Sequence, residues 1–430
     1  MIVFIMIDLK YVKEHMAEVK ENIRLRGMNV DVDEVLDLYE KRNSILRTVE
    51  ETRRQRNENA KKMKSKISQD QRQELIEEGK QLKETLAGLE TELTQTEEQL
   101  HSAAAAIPNR AHPQAPAGKE EKDNLELKRT GDPPKFSFTP KDHVELALEL
   151  ELVDFDTAAK VTGPKFYYLK NEAVYLELAL IRYALDIVTR HGFTPLVTPD
   201  IAKEEIAYGI GFNPRGPESN IYTLNETGTC LVGTAEITLG GYYAGKVLAD
   251  EQLPVKMAGI SHCFRREAGA AGQFSKGLYR VHQFTKVEMF VFCRPEESEA
   301  MHQYFLEIEE EVFSGLGIPY RVVDTCTGDL GAPAYRKFDI EAWMPGRGDS
   351  GAWGEVTSTS NCTDYQARRL GTRYKKRDGT IEHVHMLNGT AVAVSRALVA
   401  ILENYQQPDG SVKVPEKLVP YTGFDAISRP

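Results

Sequence analysis

The sequence predicts an α+β fold, an antiparallel sheet flanked by helices and preceded by an N-terminal antiparallel two-helix coiled-coil arm. Three observations predict it. Two sevenfold leucine rows run between Leu75 and Leu100, a proline-dense stretch follows them, and beyond Phe136 several β-rich runs succeed one another without a helix between.

The arm is read first. Leu9, Val12, Met16, Val19 and Ile23 step by three and four, which predicts one helix from about Asp8 to near Gly27. A second helix is expected from about Asp33 to Lys66, with Val35, Leu38, Ile45 and Val49 on one face. Ile67-Ser68-Gln69-Asp70 interrupts the pattern, and a third helix then carries the rows Leu75/Leu82/Leu89 and Leu86/Leu93/Leu100. A short turn between two long helices implies a hairpin over about 33–103, roughly 50 Å long at ~1.5 Å per residue.

Charge along the chain says more than its total. A net charge of −11 taken alone argues against a nucleic-acid partner. Yet Lys41–Lys66 holds ten basic residues against three acidic, and Asp70–Glu98 holds nine acidic against three basic. Attraction between the two helices explains part of this. It does not require Arg and Lys to continue to the tip, where apolar partners thin out, whereas a phosphate-binding face does. Arg53, Arg54, Arg56, Lys61, Lys62 and Lys64 are therefore the candidate RNA contacts.

Ile107-Pro108-Asn109-Arg110-Ala111-His112-Pro113-Gln114-Ala115-Pro116 cannot continue a helix and reads as an extended linker. The expected organisation is thus an arm over 1–106, a linker over 107–135 and a catalytic domain over 136–430. In that domain a helix is expected over Glu172–His191, and strands over Lys256–Phe264, Phe284–Cys293, Ile318–Val323 and Ile381–Leu387.

Composition narrows the classes. With 41% apolar and 28% charged residues the chain is ordinary for a globular protein, and no apolar run approaches the ~20 residues that span a bilayer. The opening MIVFIMIDLK lacks the basic region and cleavage site of a secretory signal, and a start at Met6 would serve equally well. The five cysteines (Cys230, Cys263, Cys293, Cys326, Cys362) show no C-x-x-C spacing. Buried thiols in a reducing cytoplasm are expected, with neither zinc nor a disulfide framework.

The chemistry is concentrated in two places. Cys263-Phe264-Arg265-Arg266-Glu267 and Arg280-Val281-His282-Gln283-Phe284 flank a loop of nearly twenty residues, long enough to be functional. Arg265 and Arg280 at its two ends call for a phosphate or carboxylate, which guanidinium binds bidentately. Further on, Leu387-Asn388-Gly389-Thr390 reads as a strand entering a glycine turn, followed by a helix with Arg396 in its second turn. No P-loop or G-x-G-x-x-G of useful quality follows a strand.

Arg190–Pro199, the Phe264-Arg265-Arg266-Glu267 … Glu288 hairpin and Gly389–Arg396, in that order, resemble the three motifs of class II aminoacyl-tRNA synthetases. Within that class the chain resembles the seryl-tRNA synthetase family. The resemblance rests on Thr234-Ala235-Glu236, on Glu267-Ala268-Gly269 with Gly277–Phe284, on Glu355–Cys362, and on the arm with Pro108, Asn109 and His112.

What the resemblance implies is specific. Arg265 would hold the ATP α-phosphate and the serine carboxylate, and Arg396 the γ-phosphate. Glu267 would contact the adenine, with Val281 and Phe284 forming its pocket and Arg266, Arg280, Val356 and Thr357 completing the ATP site. Glu355 and Ser358 would coordinate Mg²⁺. Thr234, Ala235, Glu236, Glu288, Asn388 and Thr390 would line the L-serine pocket. The implied partners are tRNA(Ser), by family also tRNA(Sec), and a second copy of the chain joined through Arg190–Pro199. Arg266 and Thr390 stand where serine is common, so Thr390 adds a methyl to the pocket. His282 is expected to pack the loop rather than act as a base, and the Gly346–Trp353 loop is assigned no role.

The residue types suit that reaction on physical grounds. Carboxylate attack on a phosphate builds negative charge, and preorganised guanidinium stabilises it with little acid–base chemistry. Two other readings remain at this point. One is a synthetase-like paralogue that acylates a protein carrier; the other is a coiled-coil RNA-binding protein with an inert globular domain.

Overall fold

The computed structural model describes residues 8–213, 219–268 and 276–429. Met1, Met6 and Gly269 lie outside the described residues. The chain forms two compact units, Met1–Pro108 and Asn109–Pro430. Among the described residues no helix is long and apolar enough to cross a membrane.

The first unit is helical. The single helix expected from Asp8 is two, α1 (Leu9–Glu14) and α2 (Met16–Leu25), with His15 between them out of helical geometry. No Pro or Gly signals that break. Helix α3 (Val32–Lys62) is capped by the Asp31 carboxylate, which accepts from the backbone N–H groups of Asp33 and Glu34. It ends four residues before the expected Lys66. Helix α4 (Gln69–Ala105) begins at a capping box of Ser68 and Gln71.

Of the two leucine rows, Leu86/Leu93/Leu100 forms the inner seam. Leu86 packs with Ile45 and Val49, flanked by Leu89 and Leu93, while Leu100 joins Val12, Val19, Ile23 and Val35 at the other end. Towards the tip the seam turns polar. Buried Asn59 donates through Nδ2 to the Leu75 carbonyl (3.1 Å) and to Glu78 Oε2 (2.7 Å), fixing the register.

The second unit is built on an eight-stranded sheet. Its strands are β1 (Leu125–Thr130), β2 (Thr194–Val197), β3 (Val255–Phe264), β4 (Gln283–Cys293), β5 (Tyr320–Asp324), β6 (Arg336–Met344), β7 (Ala352–Asn361) and β8 (His385–Ala393). They are ordered β1-β5-β6-β7-β8-β4-β3-β2, antiparallel except for the parallel β2–β3 pair. Part of the stretch expected as an extended linker joins this sheet. Strand β1 pairs with β5, and Asn109 donates to the Pro333 and Cys362 carbonyls. The run Ile381–Leu387 also divides, since Ile381–His383 pairs with Arg373–Lys375 in a separate small sheet before β8 begins.

Alternation along β4 explains where the site lies. Val287, Met289, Val291 and Cys293 enter a core with helices α5 (Glu172–Arg190), α6 (Ser298–Gly315) and α7 (Val394–Asn404). The intervening residues face the other way. Phe290 and Phe292 join a second core, while Lys286 and Glu288 remain for polar chemistry.

Gly389 corrects an expectation. It lies inside β8 without a left-handed φ, so there is no glycine turn. A Cβ there would meet Phe305 Cδ2 at 2.8 Å and Glu309 Oε1 at 3.0 Å, so glycine lets α6 approach the strand. Arg396 follows in the first turn of α7 rather than the second.

Candidate active site

Arg265 leaves β3 as the strand ends. Its backbone N–H donates to the His282 carbonyl (2.9 Å), and its carbonyl accepts from His282 Nδ1 (2.7 Å). His282, whose ring also contacts Phe166 and Tyr222, thus braces the hairpin. The Arg265 guanidinium lies over the Phe284 ring (5.2 Å) and donates through Nε to the Gly233 carbonyl (3.1 Å). Arg280 is engaged by Glu267, Nη1 to Oε2 at 3.1 Å, and Glu267 holds a left-handed φ of 49°. Val281 is buried and Arg266 is exposed.

Arg396 points back at β7. Its Nη1 donates to the Glu355 carbonyl (3.1 Å) and pairs with Glu355 Oε1 (2.9 Å), and its guanidinium lies over Tyr279 (5.0 Å). Burial pushes the Glu355 carboxyl up, but Arg396, Lys337 and Arg265 outweigh it and hold it below its ordinary range. Arg396, from a late helix, thus contacts the Glu355 carboxylate directly, and Arg265, from the hairpin, lowers it through charge alone.

Glu355 and Ser358 are three apart on a strand, which ordinarily places side chains on opposite faces. A bulge removes the conflict. Ile340 pairs with Thr357 but Glu341 with Glu355, leaving Val356 as the extra residue. The Val356 side chain turns into the core and Thr357 donates to Glu309 Oε2 (3.0 Å), which leaves their backbone to face the site. Glu355 and Ser358 both act on Asp339, whose carboxyl burial raises to about 6 against the opposing pull of Lys337. An ionised carboxylate beside a serine hydroxyl and a second acid is an oxygen donor set suited to Mg²⁺.

The second group of predicted residues converges on Glu236. The Thr234 hydroxyl accepts from the Glu236 backbone N–H (3.2 Å). Glu236 Oε1 accepts from Asn388 Nδ2 (2.9 Å) and from Gln366 Nε2 (2.7 Å). Burial first and Glu288 second push the Glu236 carboxyl up to about 7, against Lys286 and Arg265. The Thr390 hydroxyl donates to Glu288 Oε2 (3.3 Å), and Lys286 Nζ pairs with the same Glu288 oxygen. The Ala235 side chain is fully buried in the second core and offers only its backbone. Arg265, bonded to the Gly233 carbonyl next to Thr234, lowers the carboxyls of both Glu236 and Glu355, so its charge is felt by both groups of residues.

Sequence reasoning missed Lys286, Gln366 and Asp339. Lys286 and Glu288 are two apart on a strand, a spacing that could have flagged the first. Gln366 comes from a distant short helix and carried no signal.

The nominated arm residues divide. Arg53 pairs with Glu90 (2.7 Å) and Arg54 with Glu51 (2.8 Å). Among the described residues Arg56, Lys61, Lys62 and Lys64 are exposed and make no ion pair.

An antiparallel sheet with an arginine-bearing hairpin and a second arginine in the first turn of α7 defines a class II tRNA synthetase core. The family model for the tRNA synthetase class II core domain (G, H, P, S and T) matches residues 222–405, and that for the seryl-tRNA synthetase N-terminal domain matches 6–111. Serine--tRNA ligase of Treponema denticola is 62% identical over 98% of this chain and 100% of its own length, and that of Borrelia recurrentis 55% over 98% and 99%. The chain belongs to the seryl-tRNA synthetase family. The crystal structure of seryl-tRNA synthetase from Pyrococcus horikoshii complexed with ATP superposes with a TM-score of 0.89 at 40% identity, covering 99% of this chain and all of that one. The Naegleria fowleri cytoplasmic enzyme in complex with AMP gives 0.83 at 31% identity, covering 99% and 98%.

Proposed function

We propose that the protein activates L-serine with ATP to seryl-adenylate and transfers the seryl group to tRNA(Ser), and by family implication to tRNA(Sec). What supports the reading is Arg396 held on Glu355 and Arg265 leaving the hairpin over Phe284 beside Gly233, in a chain of the seryl-tRNA synthetase family. A serine carboxylate oxygen attacks the α-phosphorus, and the bond to pyrophosphate breaks. Arg265 neutralises the two anions as they meet and Arg396 the far end of the triphosphate. The 3′-terminal ribose hydroxyl of the tRNA then displaces AMP. Phe284 under Arg265 and buried Val281 form the adenine wall, with Glu267 and Arg280 at its rim. Glu355 and Ser358 would hold Mg²⁺, which supplies further charge neutralisation on the phosphates.

Serine selectivity follows from Glu288, Thr390, Glu236 and Asn388. A substrate without the hydroxyl leaves buried partners unsatisfied, a penalty that can reach ~10⁴-fold. The unpaired cations at the arm tip suit tRNA phosphates. A homodimer is supported by Val174, Tyr175 and Leu178 exposed on α5 and by Val197, 82% exposed on edge strand β2. Light scattering would test it, and a monomer at micromolar concentration would rule it out. The five buried free thiols fit a reducing cytoplasm.

The deciding measurement is ATP–pyrophosphate exchange across the amino acids, followed by identification of the acylated macromolecule. Serine-dependent exchange and a charged tRNA are expected. No exchange with serine and Mg²⁺, or acylation of a protein carrier instead, would overturn the reading.

A further inference from the structure

Outside the groups already described, one guanidinium reaches the nucleotide end of the site from the loop between β6 and β7. Arg347 lies over the Tyr279 ring at 4.8 Å, the same ring that Arg396 covers at 5.0 Å. Its Nη1 donates to the Tyr279 hydroxyl (3.2 Å) and to the Trp353 carbonyl (2.8 Å). The Tyr279 hydroxyl donates in turn to the Glu355 carbonyl (3.3 Å), the oxygen that also accepts from Arg396. A continuous path therefore runs from Arg347 through the tyrosine to Glu355 and Arg396.

Gly354 borders this side chain. A Cβ built at Gly354 would collide with Arg347 Nη1 and meet Met344 Sδ at 2.9 Å. Glycine beside Glu355 thus leaves the volume that the guanidinium fills. The planar fork suits the place, because it stacks on a ring while donating in its own plane, which an ammonium cannot do.

We propose that Arg347 is a positioning residue for ATP, holding Tyr279 so that Arg396 and Glu355 keep the orientation that receives the triphosphate. The inference rests on the nucleotide reading above and gives the Gly346–Trp353 loop a role. It acts beside Glu355 and Arg396, whereas the hydrogen bonds of Glu236 run to Asn388 and Gln366.

The test is steady-state pyrophosphate exchange with the full-length chain and the variants Arg347→Ala, Arg347→Lys and Gly354→Ala. Arg347→Ala is expected to raise the KM for ATP about tenfold while the KM for serine stays within about twofold. Arg347→Lys should fail to restore it, because charge without a planar fork is not enough. Gly354→Ala keeps the arginine but fills its slot, and should reproduce the loss. An ATP KM within about twofold of wild type in the two alanine variants overturns the proposal, as does an equal rise for ATP and serine. Should Arg347→Ala not fold, the other two variants decide. Absence of exchange in the wild type would instead overturn the functional reading.

Discussion

The arm and the sheet both present arginines and lysines, in opposite physical states. On the arm, Arg47, Arg56, Lys61, Lys62, Lys64 and Lys66 are exposed and, among the described residues, make no ion pair. Against the sheet, Arg396 at the start of α7 has only 17% of its side chain exposed and is fixed by Glu355 and Tyr279. A solvated cation is screened within ~10 Å at 0.1 M salt and contributes little alone, so the arm must act as a group. A desolvated, braced guanidinium acts singly, because its field is neither screened nor in need of reorientation. The arm is therefore expected to tolerate loss of any one charge, and the Arg396 site is not.

The largest effect should come from breaking the braced side. Arg396→Ala is expected to lower serine-dependent pyrophosphate exchange by roughly 10³-fold, with the far-UV spectrum unchanged and tRNA binding retained. Residual exchange within about tenfold of wild type would abolish the contrast.

That contrast was legible in part. Arg265, Glu267, Arg280 and Arg396 stand out because charged residues at strand ends and helix starts call for a ligand to explain them, and Glu288, inside its strand, was legible only through the family resemblance. The alternation of β4 between core and cavity also follows from its residues alone. Geometry that depends on one inserted residue does not. Spacing sets Glu355 and Ser358 on opposite faces, and only the bulge at Val356, formed against β6, brings both to Asp339. Gly389 looked like a turn because glycine marks turns more often than close helix–strand packing, and its neighbours Phe305 and Glu309 lie far back in the sequence. Arg347 carried no signal, since its partners Tyr279 and Glu355 meet it only through the fold.

The arm side should break only by accumulation. Replacing Lys61, Lys62 and Lys64 together by alanine should raise the KM for tRNA about tenfold and reduce the salt slope of tRNA binding by about 2. Each single replacement should change it by about twofold, and exchange, which needs no tRNA, should not move. A single replacement with the full effect would mean that the tip works like the sheet, as one fixed contact.

The subtlest expected effect concerns the buried acid. With its carboxyl raised to about 7, against 4.5 ordinarily, Glu236 keeps its proton in the folded chain after the unfolded chain has lost it. Between those values the native state binds the extra proton, so its stability falls as pH rises, and above about 7 the loss is complete. Glu288 faces Glu236 and strengthens the effect, while Lys286 and Arg265 oppose it. Glu236→Gln keeps an acceptor for Asn388 and Gln366 without the titration. Wild type should lose about 2 kcal/mol relative to the variant between pH 5 and 7.5, read from paired denaturant curves. Serine brings an ammonium that favours the ionised acid, so its KM for wild type should fall severalfold from pH 6 to 8 and stay flat in Glu236→Gln. A pH-independent difference in stability would mean that Glu236 is already ionised in the empty cavity. The sheet would then meet its substrate as the arm does, with its charges standing and unpaired.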